Sequence, residues 1–260
     1  MTAELQARAE GPAWRITLNR PDRRNALTPA LAGEVASAVE QGAKAGAAAV
    51  LLEGAGGHFC AGLDLRWLAS LGATPPPAEI RAGLEQFQAA ILAIVRAPVP
   101  VVALISGSAA GFGVDLAVAC DLRLAGTSAT FTSAFARMGL VPDGGSTHGL
   151  PRLIGNGAAL RFLLTGEVVN AVAAHRIGLV DELVEDAQLD ARAAALAAAL
   201  AGGAAGSISA IKRLCRADEI AGLERALRAE AEAQVEAFAG PEFQRRLSAF
   251  LSRTAEPKPA

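Results

Sequence analysis

Two glycine-rich stretches carry residue types that could do chemistry. The first is His58-Phe59-Cys60-Ala61-Gly62-Leu63-Asp64-Leu65. The second is Gly107-Ser108-Ala109-Ala110-Gly111-Phe112-Gly113-Val114-Asp115. Each follows an apolar run with the length of a buried strand and precedes a helix-forming segment. Glycine lets backbone approach a ligand closely, and free N–H groups at a helix start favour negative charge. One N–H from each loop, meeting at a common point, would hold a developing oxyanion. Taken singly, either loop also reads as plain turn chemistry. A third stretch, Val141-Pro142-Asp143-Gly144, sets a carboxyl in a Pro-Asp-Gly turn. That is a turn signature in its own right, and it is also a place from which a carboxylate could move a proton. Asp115 has two readings as well, an acid/base or an acidic residue favoured at a helix N-terminus.

Rival motifs fail. The chain has no GxxxxGK[ST] phosphate loop, and Gly111-x-Gly113 lacks the third glycine of a dinucleotide fingerprint. Gly144-Gly145-Ser146-Thr147-His148 is not GxSxG. No His pair has metal-ligand spacing, so no metal is expected. Cys60 reads as a small buried thiol rather than a nucleophile. His58 reads as a loop residue, His148 as one that could reach the site but would more usually cap or pack, and His175 as part of a helix-like stretch.

The elements around these residues follow from pattern. Trp14, Ile16 and Leu18 alternate with Arg15, Thr17 and Asn19 at period two, which predicts a strand. Thr28 and Pro29 open a helix as N-cap and first helical residue, running to about Lys44. Residues 48–53, 99–105 and 122–125 read as buried strands. Helices are expected after each glycine loop and over 78–96. Residues 72–77, with three prolines in a row, read as a mobile surface loop. Strands alternating with helices imply a parallel sheet with helical crossovers. Beyond about residue 190 the chain is nearly all helix formers, over 191–201, 207–216 and 222–251, ending in a frayed tail over 254–260.

Composition bounds the rest. The 260 residues are 52% hydrophobic and 19% charged with mean hydropathy +0.33, which excludes a disordered chain. With 9 Phe, 2 Trp and no Tyr, the core must be mostly aliphatic. Net charge is −2 with no basic block, so no nucleic-acid partner is expected. Three cysteines without CxxC spacing argue against a disulfide framework. No signal-peptide pattern and no run of 18 apolar residues is present, so a soluble, cytoplasmic protein without a membrane partner is expected.

Taken together, several motifs resemble the crotonase, or enoyl-CoA hydratase/isomerase, superfamily. They are Ile16-Thr17-Leu18-Asn19-Arg20-Pro21 with Asn25-Ala26-Leu27, then Phe59-Cys60-Ala61-Gly62-Leu63-Asp64-Leu65. The stretch from Gly107 to Asp121, then Gly139-Leu140-Val141-Pro142-Asp143-Gly144-Gly145 and Leu150-Pro151-Arg152, continue in the same order. The nearest branch is that of the enoyl-CoA isomerases and phenylacetate-pathway isomerases. The resemblance spans about residues 10 to 253.

That resemblance implies an α/β fold, a crotonase-like spiral of ββα units over 1–190 with the CoA site. A C-terminal helical trimerisation region over 191–253 and a disordered tail over 254–260 would follow. It implies a homotrimer or dimer of trimers, and an acyl-CoA thioester as substrate with no separate cofactor. The thioester oxygen would accept the backbone N–H groups of Leu63 and Phe112. Family hydratases use two glutamates; the first corresponds to Asp115, one methylene shorter, and the second to Phe135, which cannot move a proton. Asp143 occupies the place where several family isomerases carry a single acid/base.

The CoA contacts carried over are Arg24 near the phosphates, with Arg23 as runner-up. The backbone at Ala26, Ala61, Asp64 and Leu65 would hold the adenine end, and Phe250 and Arg253 would reach CoA from the C-terminus. The usual acidic-glycine pair there is replaced by Arg245-Arg246. Phe131 and Phe135, expected one helical turn apart, and Trp67, four after Leu63, would line an acyl pocket or pack in the core. The leading expectation is double-bond migration by Asp143 with assistance from Asp115. Hydration by Asp115 and Asp143, thioester hydrolysis or ring opening, and a silent acyl-CoA-binding subunit are the alternatives.

Overall fold

The structure, a computed structural model, describes residues 2–72 and 76–255. Strands β1 (Leu5–Glu10) and β2 (Ala13–Leu18) form an antiparallel hairpin. Helix α1 (Pro29–Lys44) leads to β3 (Ala49–Gly54), α2 (Leu65–Ser70) and α3 (Pro77–Arg96). Two ββα turns follow. The first is β4 (Val101–Ile105), β5 (Ser108–Ala110) and α4 (Phe112–Ala119). The second is β6 (Leu122–Gly126), β7 (Thr130–Thr132) and α5 (Phe135–Met138). Helices α6 (Ser146–Ile154) and α7 (Asn156–Thr165), strand β8 (Val168–Asn170), α8 (Ala171–Arg176) and β9 (Glu182–Val184) come next. Three helices close the chain: α9 (Leu189–Ala201), α10 (Ala205–Ala239) and α11 (Pro241–Ala255).

In each ββα turn the first strand joins a large sheet and the second a small one. The large sheet has order β1-β2-β3-β4-β6-β9 and is parallel beyond the first hairpin. The small sheet has order β5-β7-β8. This is the ββα spiral with C-terminal helices that the resemblance implies.

The large sheet is buried on both faces, which is why its inner strands read as continuous apolar runs. Ile16, Val50, Leu52, Val101 and Ala103 pack toward α1 and α3. Leu51, Val102, Leu104 and Leu124 pack under Leu189, Ala193 and Ala197 of α9. Cover by α9 also changes the fate of Arg15. Period-two alternation reads it as outward and polar, yet it is only 5% exposed. Its guanidinium is neutralised by Glu10, Glu53 and Asp190, the last from α9 itself. A buried charge persists only when paired in this way.

The C-terminal helices differ from the sequence expectation. The separate segments 207–216 and 222–251 are one 35-residue helix, α10, and a second, α11, divided at Gly240-Pro241. Helix α10 runs through Gly222 unbroken, and a Cβ there would lie 2.4 Å from the His148 imidazole, so the contact admits only glycine. Helix α11 runs through Thr254 and Ala255, so the expected frayed tail begins no earlier than residue 256, outside the described residues. The prolines at 75–77 end with Pro77 as the first residue of α3 rather than in a loop, and residues 73–75 lie outside the described residues. Among the described residues no single helix is long and apolar enough to cross a membrane.

One residue ties the loop before α1 to the loop after β3. Asn25 is fully buried at φ +58°, a left-handed conformation that asparagine tolerates. Its Oδ1 accepts from Arg20 N–H at 2.9 Å, and its Nδ2 donates to the carbonyls of Ala55 at 2.9 Å and His58 at 2.7 Å. Asn25→Ala would leave three partly buried backbone groups without their side-chain partner, at about 1 kcal/mol each. We expect a loss on the order of 3 kcal/mol, read as a lower denaturation midpoint at unchanged denaturant slope.

Candidate active site

The two glycine loops are held side by side by strand-like pairing. Residues 59–60 run parallel to β5 through a bridge between Cys60 and Ala109. Cys60 N–H donates to Ser108 C=O at 3.2 Å, and Ala110 N–H returns a bond to Cys60 C=O at 2.9 Å. His58 belongs to the same seam, its Nδ1 accepting from Ser108 N–H at 3.2 Å. A second bridge joins Leu27 and Leu63. The loops therefore approach without side chains between them. A Cβ on Gly62 would lie 2.7 Å from Ala110 O and 3.0 Å from Phe112 N, and one on Gly113 would lie 2.2 Å from Cys60 O. Both positions require glycine, and Gly62 also sits at φ +84°.

This packing leaves two amides without a protein acceptor. In the bridge to Leu27 the bonds run from Leu27 N–H to Gly62 C=O and from Asp64 N–H to Leu27 C=O, so Leu63 N–H is skipped. Phe112 N–H opens α4, after Gly111 N–H has gone to Thr132 C=O, and is one of the four donors a helix start cannot use internally. Among the described residues neither amide donates to another group. Leu63 and Phe112 line one small cavity, about 80 Å³, together with Asp143 and Gln234. The remaining walls are mainly apolar, from Phe87, Phe135, Met138, Leu140 and neighbours. The Phe87 and Phe112 rings meet edge to face at 4.6 Å.

Asp143 is the one carboxyl that reaches this cavity among the described residues. It is 5% exposed. Its Oδ2 accepts from Gln234 Nε2 at 3.0 Å, while the buried Oδ1 has no partner. Burial pushes its pKa up to about 7; the Gln234 hydrogen bond opposes the rise and the negative charge of Glu230 adds to it. Asp115 lies behind the loop instead. Ser146 Oγ donates to its Oδ1, and its Oδ2 faces the backbone of Gly144, where a Cβ would come within 2.7 Å. Burial raises its pKa well above the ordinary carboxylate range, and the nearby charges of Asp143 and Glu230 raise it further. The turn that brings both aspartates together is the Pro-Asp-Gly turn of the sequence, with Gly144 obligatory between them.

Two functional neighbours escaped the sequence reading. Gln234 and Glu230 of α10 hold the 141–147 loop from behind. Gln234 Oε1 accepts from Val141 N–H at 3.0 Å. Glu230 accepts from Gly145 N–H at 2.7 Å, from Thr147 N–H at 3.1 Å and from the Thr147 hydroxyl. A signal did exist: both polar residues fall on the apolar stripe Leu223, Leu227, Ala231, Phe238 at helical spacing.

Other expected positions separate by role. Phe131 sits in β7, fully buried in the main core, and does not reach the cavity. Phe135 begins α5 and does line it, so the two are not one helical turn apart. Trp67 packs toward α3 beside Gly83 rather than into the cavity. The Asp64 side chain caps α2, accepting from Arg66 and Trp67 N–H, and pairs with Arg20 at 2.8 Å. The amides of Ala26, Ala61 and Asp64 donate to Arg23, Arg24 and Leu27 carbonyls, so of the four expected adenine-binding positions only Leu65 keeps an unengaged N–H. Arg24 is exposed at φ +49°, Arg23 is exposed beside it, and Phe250 is half-buried on α11, which also carries Arg253. Arg245 and Arg246 both pair with Glu242. His148 packs on Gly222, and His175 faces Val180 C=O from α8. Cys60 is buried with its thiol pushed up to about 12, which keeps it protonated. Among the described residues no cluster of three or more His, Cys, Asp or Glu could hold a metal.

Comparison with known proteins identifies the family and the fold. A family model described as Enoyl-CoA hydratase/isomerase matches residues 9–257. The chain belongs to the enoyl-CoA hydratase/isomerase family. It is 37% identical to a probable enoyl-CoA hydratase of Rhodobacter capsulatus over 92% of this chain and 91% of that one. It is 32% identical to the 1,2-epoxyphenylacetyl-CoA isomerase of Escherichia coli, with the same coverage. A crystal structure of an enoyl-CoA hydratase from Bacillus halodurans superposes with TM-score 0.89 at 29% identity, over 95% of this chain and 100% of that one.

The Asp143 carboxyl has a consequence for stability as well as chemistry. Below about pH 3.8 it is protonated folded or unfolded. As pH rises the unfolded chain ionises first, so stability falls until the folded pKa near 7 is passed. Asp143→Asn removes this share. Its thermal midpoint should exceed that of the parent at pH 8, by a stability difference on the order of 4 kcal/mol, and the two should converge near pH 4.

Proposed function

We propose that this enzyme moves a double bond along an acyl-CoA thioester, stabilising the enolate with two backbone amides and carrying the proton on Asp143. The supporting observation is the cavity itself. One buried carboxyl with one bare oxygen faces the same space as Leu63 and Phe112, whose N–H groups have no acceptor of their own. A lone carboxyl can lift a proton from one carbon and return it at another while the oxyanion is held. Losing one preorganised donor of this kind typically costs ~10²–10³ in rate.

Hydration needs a second proton-moving group on the water. At the matching family position this chain has Phe135, whose ring is a cavity wall. Asp115 is turned to Ser146 on the far side of the loop. Both observations favour isomerisation. Arg24 and, from a neighbouring copy in a trimer or dimer of trimers, Phe250 and Arg253 would serve the CoA moiety.

The test uses 3-hexenoyl-CoA and crotonyl-CoA as probes. The parent enzyme should form the conjugated 2-enoyl thioester from the first and leave the second largely unhydrated. Asp143→Asn should lower kcat by about 10²-fold or more with KM little changed. In the parent, kcat/KM should fall on the acid side with an apparent pKa of about 7. Full isomerisation by Asp143→Asn would overturn the assignment. Rapid loss of crotonyl-CoA absorbance with formation of the 3-hydroxyacyl thioester would favour hydration.

A further inference from the structure

Gln234 has no exposed surface and makes two hydrogen bonds of opposite sense. Its Oε1 accepts from Val141 N–H at 3.0 Å, and its Nε2 donates to Asp143 Oδ2 at 3.0 Å. The orientation of the amide is forced by its partners. Turned over, it would set N–H against N–H at Val141 and carbonyl against carboxylate at Asp143. The side chain therefore distinguishes two oxygens that are chemically alike. Oδ2 is taken, and Oδ1 is left bare and buried. One helical turn earlier, Glu230 holds Gly145 and Thr147, so the loop is anchored on both sides of Asp143 by one face of α10. That face continues through Leu223 and Leu227 into the main core, which gives the anchor a rigid footing.

We infer that Gln234 is a positioning residue: by engaging Oδ2 of Asp143 it makes Oδ1 the oxygen that exchanges the proton with the acyl chain, while Glu230 fixes the loop that presents it. The inference rests on the reading of Asp143 as the proton carrier. The arrangement supplies what a one-carboxyl mechanism requires, a single basic atom at a fixed place that serves both carbons. The titratable groups bearing on Asp143 are Glu230 from α10 and Asp115 from α4, both acidic. Gln234 is then the neighbour whose hydrogen bond favours the ionised form.

Two variants separate positioning from simple tethering. Gln234→Met keeps the volume and loses both bonds. Gln234→Glu keeps an acceptor for Val141 N–H and loses the donor to Asp143, adding a charge in its place. The kinetics of 3-hexenoyl-CoA isomerisation are followed against pH, with thermal midpoints in parallel. We expect Gln234→Met to lower kcat about 10- to 100-fold with KM within about threefold. Its acid limb should move to higher pH by about one unit, because the charged form has lost a donor. Gln234→Glu should move the limb further in the same direction and fail to restore kcat, and its added charge beside Asp143, Asp115 and Glu230 should lower the thermal midpoint further. If Gln234→Glu restores kcat and the parent pH profile, the side chain is a tether and the inference is overturned. Unchanged kcat and profile in Gln234→Met, with Asp143→Asn inactive, overturns it as well and leaves the reading of Asp143 standing. Full turnover by Asp143→Asn removes that reading and the inference with it.

Discussion

The parallel pairing of residues 59–60 with β5 is the constraint on which the site depends. It lays the first glycine loop along the second, so that backbone meets backbone at Gly62 and Gly113 with no room for a Cβ. Pairing of this kind satisfies buried polar groups as any sheet does. At two points it stops short. The bridge to Leu27 skips Leu63 N–H, and the start of α4 leaves Phe112 N–H over. The residues that carry these two amides line one cavity.

A second constraint is electrostatic. Asp143, Asp115 and Glu230 lie close together with little exposure, and burial raises the pKa of each. Crowding three acids is unfavourable to folding, and the protein limits the cost by giving each some donor: Gln234, Ser146, and the Gly145 and Thr147 amides. Only Asp143 combines partial satisfaction with access to the cavity. The clustering of perturbed carboxyls is what one expects where protonation must change near neutral pH.

Much of this was legible in the sequence because local chemistry decides it. Thr28-Pro29 capped α1 as read, since an N-cap and a first-turn proline need no tertiary context. The glycine loops were visible because close backbone approach excludes every other residue. Arg15 was misjudged because alternation along β2 carries no information about α9, more than 170 residues away in the chain, closing over it. A spacing of four places Phe131 and Phe135 one helical turn apart, but a strand ends between them at Thr132. Gln234 and Glu230 were missed for a related reason: polar residues on an apolar helix stripe announce a buried partner, yet only the fold says that the partner is the Asp143 loop.

The hydrocarbon walls around Asp143 bear on where a hydrogen travels. A water molecule needs two or more polar partners to settle in a protein interior. The walls made by Phe87, Phe112, Phe135, Met138 and Leu140 supply none through their side chains. On the proposed mechanism, a hydrogen lifted onto Oδ1 would meet few polar side chains before the dienolate reclaims it. Isotopic label placed on one carbon of the acyl chain would then be carried to the other within the same molecule, and the medium would hardly dilute it.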